Sequence, residues 1–109
     1  STVLAGSTNE IPISLTLTNT GTATANIEAV FTTNDGSGVY GLDGSGTNII
    51  PGNNFKLGPD GSELPLTSTT TRTLICTLGA GQTLDYDAIL IVPAGQSADD
   101  YLGTIQLSW

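Results

Sequence analysis

The chain contains no histidine and no methionine, one cysteine (Cys76), and only two basic residues, Lys56 and Arg72, in 109. Without histidine it lacks the side chain that most often serves as a general base at neutral pH. A single cysteine forms no internal disulfide, so the fold must rest on apolar burial, at roughly 25 cal/mol per Å², or on neighbouring subunits. A reactive thiol needs an adjacent cation or histidine. Arg72 is the only local candidate, so Cys76 is read as a small buried hydrophobe. Two cations do not make the basic surface that nucleic acid requires, and an anionic membrane surface is disfavoured for the same reason. No apolar run has the ~20 residues of a membrane-spanning helix. No secretory leader is visible, so Ser1 is expected to be a processed start or a trimmed boundary. The N-x-[ST] acceptor for glycosylation is also missing.

What is present is threonine, glycine, leucine and serine, with a scatter of aspartates. Only 11% of residues are charged, and the net charge of −8 reflects few bases rather than many acids. Hydroxyls, amides and backbone must therefore cover the surface, as is common in secreted and cell-surface β proteins. Threonine suits a pleated, half-solvated surface and disfavours helix.

Alternation sets the elements. Ile11, Ile13, Leu15 and Leu17 alternate with polar residues and Pro12, giving a half-buried strand that starts at an edge or end. Asn19-Thr20-Gly21-Thr22 reads as a turn into a second strand, Ala23, Ala25, Ile27, Ala29 and Phe31, and the two strands are expected to pair as a hairpin. Residues 34–62 differ. Asp35-Gly36-Ser37-Gly38 and Asp43-Gly44-Ser45-Gly46 are near-copies around Val39 to Leu42, and Pro51-Gly52 and Pro59-Asp60-Gly61 are further turns. Ile49, Ile50, Phe55 and Leu57 should pin this excursion to the core as short strands. After Leu64 and Leu66, alternation places Arg72, Leu74, Cys76 and Leu78 on one core face, with Arg72 at the strand mouth. Leu84, Tyr86, Ala88, Leu90 and Val92 share another face, and Tyr101, Gly103, Ile105, Leu107 and Trp109 close the chain. No segment has a sustained helical period. The expectation is one domain, 1–109, with 34–62 as an elaborated region. Its fold class is all-β, an antiparallel sandwich of the immunoglobulin-like or jelly-roll kind with about 7–9 strands.

Two stretches resemble a known class. "IPISLTLTNTGTATANIEAVF" is similar to the strand, N-T-G turn, strand unit of bacterial and archaeal immunoglobulin-like surface modules. "GAGQTLDYDAILIVPAGQSADDYLGTIQLSW" resembles their ending, where a strand closing on V-P precedes Y-x-G-T-I and a final strand. Together they cover about half the chain. The resemblance implies an extracellular module used for structure, spacing, adhesion or assembly. The middle third departs from the short loops of that class.

Candidate sites are few. Asp85 and Asp87 share a strand face about 7 Å apart, which fits two solvated acids better than a catalytic pair, and no enzymatic activity or organic cofactor is expected. Calcium is the more plausible site chemistry, since it takes carboxylate and carbonyl oxygens. Asp35, Asp43 and Asp60, each in a glycine turn, are its candidate ligands, although none has a calcium-loop spacing and Asp-Gly is foremost a turn signal. Among the aromatics Phe31, Tyr86 and Trp109 should point inward at least in part. Tyr40, between glycine-rich turns, is the candidate glycan-stacking ring.

The leading functional expectation is a self-assembling surface, filament or virion subunit, extracellular or on the cell surface. Residues 1–10 are expected to form an arm that augments a neighbour's sheet, because edge-guarding lysines are lacking. Its partners would be further copies or neighbouring surface domains. A glycan-binding or adhesive module is the alternative, and an inactive accessory domain of an enzyme is a third reading.

Overall fold

The computed structural model describes residues 6–109, except for the side chains of residues 10–14. It is an all-β, antiparallel sandwich. Nine strands are present among the described residues: β1 Thr8–Thr18, β2 Ala25–Phe31, β3 Gly41–Asp43, β4 Ile49–Pro51, β5 Phe55–Pro59, β6 Leu64–Pro65, β7 Thr73–Leu78, β8 Thr83–Ile91 and β9 Ile105–Ser108. The only helical element described is a single 3-10 turn, Gly52–Asn54. One sheet runs β1-β8-β5-β6, the other β7-β2-β9, and β3 and β4 form a separate hairpin.

The core lies between the two larger sheets. Ile27, Ala29 and Phe31 of β2 and Ile75 and Leu78 of β7 meet Phe55 and Leu57 of β5 and Tyr86, Ala88 and Leu90 of β8. Phe31 and Phe55 join the sheets edge-to-face, their ring centroids 5.4 Å apart, an arrangement that the aromatic quadrupoles favour. The alternation read along β8 holds, with Tyr86, Ala88, Leu90 and Val92 all buried. Of the residues expected to anchor 34–62, Ile50, Phe55 and Leu57 are buried and Ile49 is half-buried.

Three expectations are corrected. First, β1 and β2 do not pair. β1 pairs with β8 and β2 with β7 and β9, so residues 19–24 carry the chain from one sheet to the other. The connection is too long for a two-residue hairpin turn. The Asn19 amide braces it by donating to the carbonyls of Ala23 and Leu78. Each strand thereby covers the same core from an opposite side. Second, Leu74 lies outward and is half exposed, while Ile75 is buried. Ile27 pairs with Cys76 and Glu28 with Leu74, which leaves Ile75 as an extra residue on β7. Such a bulge resets the alternation. Cys76 is consequently half-buried rather than buried, and Arg72 is exposed, its Nη1 donating to Ser108 Oγ at 2.6 Å. Third, the N-terminal arm is largely spoken for. Gly6 N–H donates to Val92 O, and Thr8 to Ile11 pair with Ile91 to Ala88. Ser1 to Ala5 lie outside the described residues.

Candidate functional site

The aspartates of the glycine turns are mostly engaged as acceptors for their own loops. Asp35 Oδ1 accepts from the Ser37 amide at 2.8 Å and from the Val39 amide, and both its oxygens accept from Ser37 Oγ. These bonds, the Ser37 amide first, hold its carboxyl below the ordinary carboxylate range. Asn34 Oδ1 likewise accepts from Gly36 N–H. The carboxylate works here as a local turn brace of the kind that favours Asx at such positions.

The second glycine turn is braced from a distance. Asp99 Oδ2 accepts from Asn48 Nδ2 at 3.0 Å and from the Ser45 amide, and its Oδ1 accepts from Ser45 Oγ and the Asp100 amide. The Asn48 bond leads, followed by the Ser45 and Asp100 amides, in lowering its pKa to about 2. Asp99 therefore staples residues 44–48 to the segment before β9. A Cβ at Gly44 would meet Asp99 Oδ2 at 2.7 Å, so only glycine leaves room for this clasp. Asp43 sits at the adjoining end of β3, its backbone paired with Leu102 in both directions. Its Oδ1 is enclosed and accepts no hydrogen bond among the described residues.

Asp60 has different company. Carboxylate oxygens of Asp60, Glu63 and Asp87 lie within 4.8 Å of one another, Asp60 exposed and the other two half-buried. Three hard oxygens at this spacing are the minimum from which a calcium site begins, several short of the 6–8 that the ion takes. The register Gly58↔Asp87 across β5 and β8 brings them together, a pairing that one-dimensional spacing does not reveal. The structure therefore does not bring Asp35, Asp43 and Asp60 to one point. Nor are Asp85 and Asp87 paired in use, for Asp85 accepts from Thr16 Oγ1 at 2.8 Å on β1 while Asp87 faces Asp60 and Glu63.

The aromatic expectations exchange places. Tyr40 is half-buried and packs against the core, its backbone bonded to Ser68 O and to the Gly52 amide, so it is not the exposed ring that the sequence predicts. Trp109 is 83% exposed. Alternation predicts Trp109 on the inner face with Ile105 and Leu107, and this is corrected: the register of β9 with β2 ends at Ser108, and Trp109 follows the strand in solvent. No described residue covers it. It lines an open groove of about 850 Å³ together with Leu17, Asn19, Ala25, Ile27 and Leu78. The groove exists because β9 pairs only with Glu28 to Phe31, leaving the Ala25–Ile27 end of β2 unpaired on that side.

Four strands lie at the borders of the two large sheets, and three are guarded against strand addition. β1 carries Glu10, Pro12 and a break in register between Ile11 and Leu15. β6 has two residues, one of them Pro65, and β7 has the Ile75 bulge. Charge, proline, bulges and brevity are the usual protections of an edge. β9, four residues long, has no charge, proline or bulge. It is Ile-Gln-Leu-Ser in unbroken register with β2, flanked by exposed Leu102 and Trp109.

Comparison with protein-family models, curated proteins and solved structures finds no match to this chain. The class its fold defines is the all-β antiparallel sandwich, and function has to be read from the site itself.

Proposed function

We propose that this sandwich is a non-enzymatic structural module of an extracellular or cell-surface assembly, joined to further copies of itself or to neighbouring domains through its sheet edges. The observation that carries this reading is the unguarded β9, open along one side and bordered by two exposed large apolar residues. Strand addition at such an edge gains main-chain hydrogen bonds and apolar contact together. The acidic side chains support it indirectly, because Asp35 and Asp99 are already occupied in bracing loops. A sparsely charged, threonine-rich surface of net charge −8 suits an extracellular setting. Light scattering and electron microscopy of the purified chain test the reading. Concentration-dependent dimers, filaments or sheets are expected, and a strict monomer at high concentration would refute it. Truncation of Ser1 to Asn9 is a poor test, since it also removes the pairing of Thr8 and Asn9 with β8.

A second reading, glycan binding, is favoured by one observation, an exposed indole beside a groove bordered by threonines and asparagines. Sugar rings stack on exposed aromatic faces while hydroxyl and amide groups bond their rims. A glycan array in which binding disappears with Trp109→Ala, and not with Tyr40→Ala, would support it. Silence across a broad array would dismiss it.

A further inference from the structure

We propose that two copies of this chain associate by antiparallel pairing of β9 with itself, about a two-fold axis through Gln106, to make one continuous sheet β7-β2-β9-β9-β2-β7. The inference rests on the edge-assembly reading above and names its strand, its symmetry and its partner.

The hydrogen-bonding parity of the strand is fixed by its neighbours. Thr32 N–H donates to Thr104 O, and Leu102 exchanges both its backbone bonds with Asp43. With β2 and β9 in unbroken register, residues 104, 106 and 108 turn their backbone groups toward β2. Antiparallel ladders alternate strictly, so Gly103, Ile105 and Leu107 turn theirs to the open side. These positions are symmetric about Gln106. A two-fold axis there sets Ile105 opposite Leu107 of the second copy and Gly103 opposite Trp109 of the second copy, each a hydrogen-bonding pair. The strand is thus its own complement.

Side chains agree with this pairing. The segment Gly103 to Trp109 has no charged residue, whereas two chains of net charge −8 repel wherever acids face each other. The nearest cation, Arg72, is bound to Ser108. On the inner face Gly103 is the position without a side chain, hard against Leu42 and Phe31. The indole of the second copy would lie beside it, and Trp109, exposed in the single chain, would gain a floor. The polar face of the same strand carries Thr104, Gln106 and Ser108, and pairing brings the two Gln106 amides side by side. A foreign strand has no such match built into the sequence, and the other three edges are guarded.

The experiment uses the full chain. Sedimentation velocity over a dilution series measures association, and Gln106→Cys in a Cys76→Ala background reports the axis. Expected is a concentration-dependent dimer that mild oxidation locks through Cys at position 106 to a single dimeric species, while Thr47→Cys, exposed in the turn between β3 and β4 and off the axis, stays unlinked. Leu107→Pro removes an outward N–H without touching the bonds to β2, and Gln106→Lys places a charge on the axis. Each should weaken dimerisation at least about tenfold. Should Leu107→Pro fail to fold, the surface change Gln106→Lys carries the test. Association that survives Gln106→Lys and yields no 106–106 link overturns this inference and leaves edge assembly standing. A monomer at every concentration overturns both.

Discussion

Two side chains show how this chain spends its few ionisable groups. Tyr86 is buried at the centre of the sandwich, where its hydroxyl meets the Cys76 thiol in a hydrogen bond. Burial first, and then the thiol, hold its pKa well above the ordinary value near 10. The folded state therefore keeps a proton that the unfolded chain gives up. Stability from this group is fully present below about pH 10 and is lost as pH rises from there toward the folded value. Urea midpoints should fall steeply between pH 10 and 12 in the natural chain and more gently in Tyr86→Phe. Equal slopes would show that the hydroxyl is not protected. Asp99 runs the opposite way, with its pKa lowered to about 2 by Asn48 and the Ser45 and Asp100 amides. Its clasp is complete above the unfolded value near 3.9 and opens as pH falls through about 2. The Ser45 amide resonance should titrate with a midpoint of about 2, and in Asp99→Ala the amides of 44–48 should exchange faster with solvent at neutral pH while those of β8 do not.

At the scale of the element, β7 separates pattern from structure. Strict alternation would make Leu74 a core residue and Ile75 a surface one, and the bulge reverses both. Leu74→Lys should therefore change stability by no more than about 0.5 kcal/mol, whereas Ile75→Ala should cost about 2–5 kcal/mol in chemical denaturation. The reverse order would mean that the register runs straight. Gly52 is a second discriminating position. A Cβ there would meet Thr67 O at 2.2 Å and Phe31 Cδ2 at 2.8 Å, so Gly52→Ala should destabilise by about 1–3 kcal/mol through overpacking. Period-two patterning made the inner faces of β8 and β2 and the anchors of 34–62 legible, although Val30, on the opposite face of β2, is buried as well. Patterning could not show the bulge, since an inserted residue leaves no mark in composition. The sheet partner of β1 was equally hidden, because alternation defines a face and not a neighbour. The candidate site was read less well. Asp60 was visible as a turn residue, but Glu63 and Asp87 reach it only through the pairing of β5 with β8 and the turn after β5. Alternation predicts Trp109 inward, but it lies one residue beyond β9 and is exposed, because the β2–β9 ladder ends at Ser108.

For the molecule as a whole, self-association works against electrostatics. Each copy carries a net charge of −8, distributed so that the β9 edge itself is neutral. The two-fold pairing proposed above then gains from contact at the edge and loses to the long-range field of the two bodies. Salt weakens that repulsion, with a screening length of about 10 Å at 0.1 M, and leaves the main-chain bonds intact. Dimerisation should therefore tighten as sodium chloride rises, and tighten again as pH approaches the isoelectric point near 4.1. An interface built on opposite charges would respond in the other direction. Calcium supplies the control, since Asp60, Glu63 and Asp87 form the acidic cluster in which a divalent ion would act. At matched ionic strength, sodium and calcium chloride should strengthen an edge-paired dimer equally in sedimentation measurements. A calcium-specific surplus that vanishes in Asp87→Asn would instead place the contact between subunits at the turn joining β5 to β6, where a shared cation would offset three converging carboxylates.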